Sequence, residues 1–94
     1  MNARALVARN IRRLRVARST SQEHLAVDAG IDRTYVSRLE RGRENPRVAV
    51  LERITHALGV EIVEFFAPPE PGKRPPGTLR PGRTAVRQRE RRFG

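Results

Sequence analysis

Four polar side chains of the types that contact DNA bases stand close together in one short segment. The segment covers residues 33–41, and the four side chains are those of Arg33, Thr34, Ser37 and Arg38. An arginine guanidinium donates two hydrogen bonds to O6 and N7 of guanine, and Ser or Thr hydroxyls suit several bases. If the segment is a helix, Val36 and Leu39 form its buried stripe and leave the polar side chains outside it. This arrangement suits a helix that contacts base edges in the major groove.

The preceding residues predict a second short helix that braces the first. Ser21 is a favourable N-cap for a helix over 22–28, and Gly30 follows where a left-handed residue ends such a helix. Asp32 is then expected to cap the helix over 33–41. The pattern therefore predicts a helix, a tight turn and a second helix.

Further helices are predicted on both sides of this pair, over 3–18, 47–58 and 61–66. Apolar residues recur there at helical spacing. Those of the first helix are Leu6, Val7, Ile11 and Leu14, and those of the fourth are Val48, Leu51, Ile54, Ala57 and Leu58. Ile62, Phe65 and Phe66 are expected to cover the base of the bundle. Residues 1–66 are thus predicted to form one all-α domain of five helices.

The segment 67–94 differs from the rest in composition. It is rich in Pro, Gly and Arg, and such segments bury too little apolar surface to become ordered. We therefore expect a disordered tail. Of the formal net charge of +10, the tail holds +6 and residues 1–66 hold +4. A basic chain with few aromatic residues favours a nucleic-acid partner, although a generally arginine-rich protein remains the alternative.

Residues 3–66 resemble the helix-turn-helix domain of the phage-repressor-like family of bacterial regulators, also called the Cro/C1-type or xenobiotic-response-element family. The resemblance is carried by Gln22, Leu25, Ala26, Gly30, the segment SRLERG at 37–42, Asn45-Pro46 and the segment ALGV at 57–60. It implies a lambda-repressor-like fold and sequence-specific binding of double-stranded DNA. It covers about two thirds of the chain and leaves the tail outside.

The resemblance also implies roles for individual residues. It places base contacts at Arg33, Thr34 and Arg38, and we add Ser37 from its outward position. Expected phosphate contacts lie at Gln22, where the start of a helix favours anions, and at the flanking residues Tyr35, Arg41 and Arg43. For each arginine, a phosphate contact or a solvated side chain remains the alternative to base recognition.

A structural ion pair is implied between Arg15 of the first helix and Glu40 of the third. Glu40 lies beside the inward stripe of its helix, and related domains pair a glutamate at this position with an arginine of helix one. Two independent surface charges are the alternative.

The expected function is a transcription regulator, and a repressor in particular. Because one such domain contacts few base pairs, we expect a homodimer on a palindromic operator with half-sites about 10 bp apart. The candidate interface is Ile62, Val63, Phe65 and Phe66, and closure of the core is the alternative for these residues. A different function would be that of an antitoxin whose tail binds a partner protein, and a third would use the tail to bind RNA or DNA electrostatically.

Several classes of function lack the residues that they require. The chain has no cysteine, and His24 and His56 have no ligand partners at metal-binding spacing. No nucleophile motif or glycine-rich phosphate loop is present, so we expect neither an enzyme nor a cofactor or metal. No apolar segment approaches the length of about 20 residues that spans a bilayer. We therefore expect no membrane partner and a cytoplasmic location.

Overall fold

The computed structural model of the protein describes residues 2–69. They form four α-helices and a final 3₁₀ helix, and none of them lies in a strand. The elements are α1 (Ala3–Ala17), α2 (Gln22–Ala29), α3 (Arg33–Glu40), α4 (Val48–Leu58) and the 3₁₀ helix (Ile62–Phe66). The predicted all-α class is confirmed, and the fifth helix takes the tighter 3₁₀ form that suits short segments. Nearly all of the predicted tail lies outside the described residues. The structure therefore does not bear on the partners expected for the tail.

One hydrophobic core joins all five elements. Its largest fully buried side chains are Ile11, Leu25, Val36, Leu39, Ile54 and Phe65. The apolar stripes predicted for α1 and α3 supply Val7, Ile11, Leu14, Val36 and Leu39 of this core. The expectation for Val48 is wrong, because 66% of this residue is exposed. Val48 is the first residue of α4, and the apolar stripe is exposed at this end of the helix. Further along the same helix, Leu51 and Ile54 are 5% and 0% exposed.

Local capping explains where the helices of the central pair begin and end. The Ser21 hydroxyl accepts a hydrogen bond from the His24 backbone N–H at 2.9 Å and caps α2. Gly30 ends α2 in the left-handed conformation, with φ of 69°, as its position predicted. Asp32 occupies the N-cap position of α3, but its side chain makes no capping hydrogen bond. Its predicted N-cap position is therefore confirmed, while the carboxylate is exposed to solvent instead of bonded to the helix backbone.

The 3₁₀ helix closes the bundle against α1. Phe65 is 0% exposed, so the prediction that it forms part of a dimer surface is wrong. In a helix with about three residues per turn, side chains three positions apart lie on the same side. Val63 and Phe66 therefore share a side away from Phe65 and are 69% and 46% exposed, while Ile62 lies on the side of Phe65 and is 37% exposed. The structure therefore separates one core phenylalanine from an apolar surface made by its neighbours.

Asn10 fastens this closing element. Its side chain lies in the interior, 2% exposed, and the amide nitrogen donates to the carbonyl oxygens of Phe65 and Ala67, each at 2.9 Å. The amide oxygen accepts a hydrogen bond from Nε of Arg13 at 3.2 Å. Both N–H groups and the oxygen of a buried amide are thus paired. No prediction from the sequence gave Asn10 this role.

None of the helices in the described residues is long and apolar enough to cross a membrane. Within residues 2–69, no group of three or more His, Cys, Asp or Glu side chains could hold a metal ion.

Candidate nucleic-acid interface

The outer face of α3 presents the four side chains predicted to contact bases. Arg33, Thr34 and Arg38 are exposed, and Ser37 is partly buried. On the opposite face, Val36 and Leu39 are 0% and 1% exposed. The helix is therefore anchored along its apolar side, while its polar side faces solvent.

The turn between α2 and α3 sets the relative direction of the two helices. The backbone N–H of Ile31 donates to the carbonyl oxygen of Ala26 at 2.9 Å, and the Ile31 side chain packs against the core. Because Gly30 adopts the left-handed conformation without the strain of a Cβ, the chain reverses within a few residues. This compact turn brings the start of α2 and the outer face of α3 to the same region of the molecule.

Arg15 and Glu40 join α1 to α3 through a two-pronged ion pair. Nε of Arg15 lies 2.6 Å from Oε2 of Glu40, and Nη2 lies 2.9 Å from Oε1. The third nitrogen, Nη1, donates to the Thr20 carbonyl at 2.8 Å. The hydrogen bond to Glu40 raises the pKa of Arg15, while burial lowers it and the Glu40 charge raises it further. The structure thus places the two residues as the family resemblance implied.

Gln22 belongs to the same network. It stands at the first position of α2, and its Nε2 donates to Oε1 of Glu40 at 3.0 Å. Arg15 and Gln22 together give Glu40 three hydrogen bonds, which tie α1, α2 and α3 to one carboxylate. The Gln22 side chain was predicted to contact a phosphate. One N–H of its amide is therefore already bonded to Glu40 within the protein. The free backbone N–H groups at the start of α2 remain directed along the helix axis, as anion binding requires.

A second ion pair involves a predicted base-contacting residue. Nε of Arg38 lies 2.7 Å from Oε2 of Glu44, with 49% and 24% of the two side chains exposed. No prediction from the sequence named Glu44 as a partner of Arg38. The signal available was an acid six residues after Arg38, just beyond a glycine at which the chain reverses.

Arg41 and Arg43 flank the end of α3, and both are exposed. Gly42 separates them and adopts a φ of 74°. The backbone N–H of Gly42 donates to the Leu39 carbonyl at 3.0 Å, and that of Arg43 donates to the Arg38 carbonyl at 2.9 Å. These two bonds form a Schellman motif, which ends the helix and folds the following loop back toward it.

Tyr35 lies at the edge of this surface rather than fully upon it. The side chain is partly buried and packs against the core, in a groove lined also by Ile31, Arg47 and Val50. Burial raises the pKa of its phenol, the charge of Glu44 raises it further, and Arg47 lowers it. The phenol is protonated at neutral pH even at its ordinary pKa of 10.0, so the hydroxyl can donate a hydrogen bond.

Comparison with known proteins identifies the family of the chain. The sequence profile of the helix-turn-helix family matches residues 11–65, which is more than half of the chain. The chain belongs to the Cro/C1-type helix-turn-helix family.

Among its relatives, a hypothetical transcription factor of Neisseria meningitidis is 45% identical over 67 residues, covering 71% of this chain and 63% of that protein. A crystal structure of the Neisseria factor superposes with a TM-score of 0.69, covering 72% of this chain and 78% of that one at 44% identity. An uncharacterized HTH-type transcriptional regulator of Sinorhizobium fredii is 43% identical over 68 residues, covering 72% of this chain and 88% of that protein.

The restriction-modification controller protein C.AhdI of Aeromonas hydrophila has a similar fold. Its crystal structure superposes with a TM-score of 0.64 at 37% identity, covering 66% of this chain and 94% of that one. The family consists of transcription regulators and not of enzymes. In this Cro/C1-type domain, α2 and α3 are the helix-turn-helix pair.

Proposed function

We propose that the protein is a dimeric repressor that binds a palindromic site in double-stranded DNA and inserts α3 into the major groove. The observation that carries this proposal is the two-sided character of α3. Val36 and Leu39 hold one side in the core, while the opposite side is exposed and carries hydrogen-bonding groups. A helix of this kind can lie in a groove without giving up its packing.

Base recognition is assigned to Arg33, Thr34, Ser37 and Arg38. Arg33 occupies the first residue of α3, the end at which recognition helices contact base edges. Each bidentate contact between an arginine and guanine contributes about 1–3 kcal/mol of discrimination against other bases. Two arginines and two hydroxyls supply enough discrimination for a short half-site.

Phosphate contacts are assigned to residues at both ends of the helix pair. Gln22 lies at the start of α2, where unpaired backbone N–H groups attract an anion. Arg41 and Arg43 follow α3, and the Tyr35 hydroxyl lies at the flank of the same surface. Contacts of this type fix the register of the protein on the duplex without selecting a sequence.

Dimerisation is assigned to the exposed apolar side of the 3₁₀ helix. Val63 and Phe66 share that side, and Ile62 adds exposed apolar area at the start of the helix. Large exposed apolar groups that lie close together mark interaction sites. A two-fold dimer would present two copies of α3 to successive major-groove segments about 34 Å apart. Repression follows if the bound dimer covers a promoter, since this needs no surface beyond the DNA-contacting one.

Selection of bound fragments from random DNA tests the recognition assignment. The wild-type protein is expected to enrich a palindrome with half-sites about one helical turn apart. Arg38→Ala and Thr34→Ala should each lose preference at particular positions while keeping the wild-type circular dichroism spectrum. Unchanged preference in both variants would contradict the assignment of α3.

Val63→Asp tests the dimer. A charge at the centre of the exposed apolar surface should shift the protein toward a monomer in sedimentation experiments and weaken binding to the full palindrome. Val27→Asp is the matched control, because Val27 is 75% exposed and lies on α2, away from this surface. Equal dimer content in the two variants would place the interface elsewhere.

A further inference from the structure

The ion pair between Arg38 and Glu44 limits how the arginine can approach a base. A guanidinium carries five N–H donors, one on Nε and two on each Nη atom. In this structure Nε donates to Oε2 of Glu44 at 2.7 Å. Among the described residues, neither Nη atom of Arg38 has a hydrogen-bond partner. The two terminal nitrogens therefore form the part of the fork that remains available to a ligand.

The backbone brings Glu44 to this place. The Schellman motif at Gly42 turns the chain back toward α3, and the N–H of Arg43 bonds to the carbonyl of Arg38 itself at 2.9 Å. Glu44 is the next residue, and only 24% of its side chain is exposed. The hydrogen-bonded turn thus sets the backbone position of Glu44, and its side chain is less exposed than that of Arg38, 24% against 49%.

We propose that Glu44 is a positioning residue that orients Arg38 for end-on donation, through Nη1 and Nη2, to O6 and N7 of a guanine in the major groove. This inference rests on the proposed function, since it requires Arg38 to contact a base. Glu44 itself touches no DNA in this arrangement. It acts by selecting one orientation of the guanidinium before the DNA arrives.

Two physical effects follow from this arrangement. First, an arginine held in its bound conformation loses less side-chain entropy on binding. More of the free energy of the bidentate contact is then available as affinity for guanine. Second, the carboxylate offsets the positive charge of Arg38 and reduces its attraction to phosphates, which are the same at every sequence. Both effects increase the preference for the cognate base pair relative to other sequences.

The test measures base preference in the full chain by competition between DNA duplexes that differ at one base pair. Random-DNA selection with wild-type protein and Arg38→Ala first identifies the base pair whose preference depends on Arg38. Glu44→Ala is then expected to lower the preference for guanine there by about fivefold, part of the discrimination that a bidentate contact supplies. Binding to non-cognate DNA should become tighter in the same variant, because a negative charge near the duplex is lost.

The double variant Arg38→Ala/Glu44→Ala separates positioning from a general effect of charge. If Glu44 acts through Arg38, removing Glu44 should have no further effect on base preference once Arg38 is absent. Glu52→Ala is the matched control, because it removes the same charge from an exposed position on α4. It should leave the base preference unchanged.

Each result bears on the inference. Loss of preference in Glu44→Ala, confined to the base pair that depends on Arg38, supports it. An unchanged preference pattern in Glu44→Ala overturns it while leaving the proposed function in place. If Arg38→Ala alters no position, the base-contacting assignment of Arg38 fails and the inference fails with it.

Glu44→Gln keeps the experiment decisive if Glu44→Ala does not fold. Glutamine retains an acceptor of the same size, but its hydrogen bond to Nε lacks the charge of the carboxylate and is weaker. A partial loss of guanine preference is therefore expected. Wild-type preference in this variant would overturn the proposed role of the carboxylate.

Discussion

Arg15 and Glu40 form a two-pronged ion pair between α1 and α3, with 13% and 3% of their side chains exposed. Glu40 also accepts a hydrogen bond from Gln22. The position of α3 thus depends on one nearly buried carboxylate as well as on apolar packing. Burial makes this pair costly to break, because either partner alone would leave a desolvated charge.

Glu40→Ala is expected to lower the free energy of unfolding by about 3–5 kcal/mol, because the Arg15 guanidinium then stays buried without its partner. Urea denaturation monitored by circular dichroism measures the change. Arg15→Ala/Glu40→Ala should be less destabilised than the sum of the single variants. Asp28→Ala is the control, since its contact with His24 is exposed and its removal should cost less than about 1 kcal/mol. Similar costs for Asp28→Ala and Glu40→Ala would refute the structural importance of the buried pair.

Asn10→Ala is expected to destabilise the protein by about 1–3 kcal/mol, because the carbonyl groups of Phe65 and Ala67 lose their donor. Asn10→Asp should be worse, since a carboxylate would face two carbonyl oxygens in the interior. Thermal unfolding and hydrogen exchange at the 3₁₀ helix measure the two effects. Exchange of the 3₁₀ helix at the wild-type rate in Asn10→Ala would show that Asn10 does not fasten it.

Ser19→Gly is expected to stabilise the protein by a few tenths to about 1 kcal/mol. Ser19 has a φ of 54°, and among the described residues it is the sole non-glycine in the left-handed region. Glycine removes the Cβ strain of that conformation, although it also increases the entropy of the unfolded chain. Ala17→Gly provides the control, because a glycine in the helical conformation should destabilise. A loss of stability in both variants would argue against strain at Ser19.

Tyr35 is expected to titrate above its ordinary pKa of 10.0 in the folded protein, chiefly because of burial and then because of the Glu44 charge. It is the only tyrosine, and the chain has no tryptophan, so phenolate absorbance follows this residue alone. Glu44→Gln should lower the pKa while leaving it above the ordinary value, since burial persists. Glu52→Gln should have no such effect.

The same shift predicts how stability depends on pH. A folded pKa above the unfolded one means that the folded state holds the phenol proton more tightly. The resulting stabilisation is fully present below the unfolded pKa and is lost as the pH rises through the folded pKa. A Tyr35 pKa at or below 10.0 would contradict both expectations.

Much of the helix-turn-helix architecture could be predicted from local pattern. The spacing of Val36 and Leu39 placed the inner face of α3, and Gly30 placed the end of α2, because helical periodicity and left-handed caps are properties of a few neighbouring residues. The predicted helix limits agree with the observed ones to within one residue at each end of α1 to α4. Periodicity also placed Val48 in the core, and this was wrong because periodicity does not show where a neighbouring element ends.

The sequence by itself determined the class of fold, the family and the residues available on the outer face of α3. Tertiary structure alone decided which phenylalanine enters the core, which acid holds Arg38 and what satisfies Asn10. Helical periodicity does not relate the residues that these contacts join. Asn10 and Phe65, for example, are separated by 55 positions. Such contacts depend on how the packed helices and their turns meet in space. The side chains expected to contact DNA are thus evident in one segment, whereas the contacts that orient them form only in the folded chain.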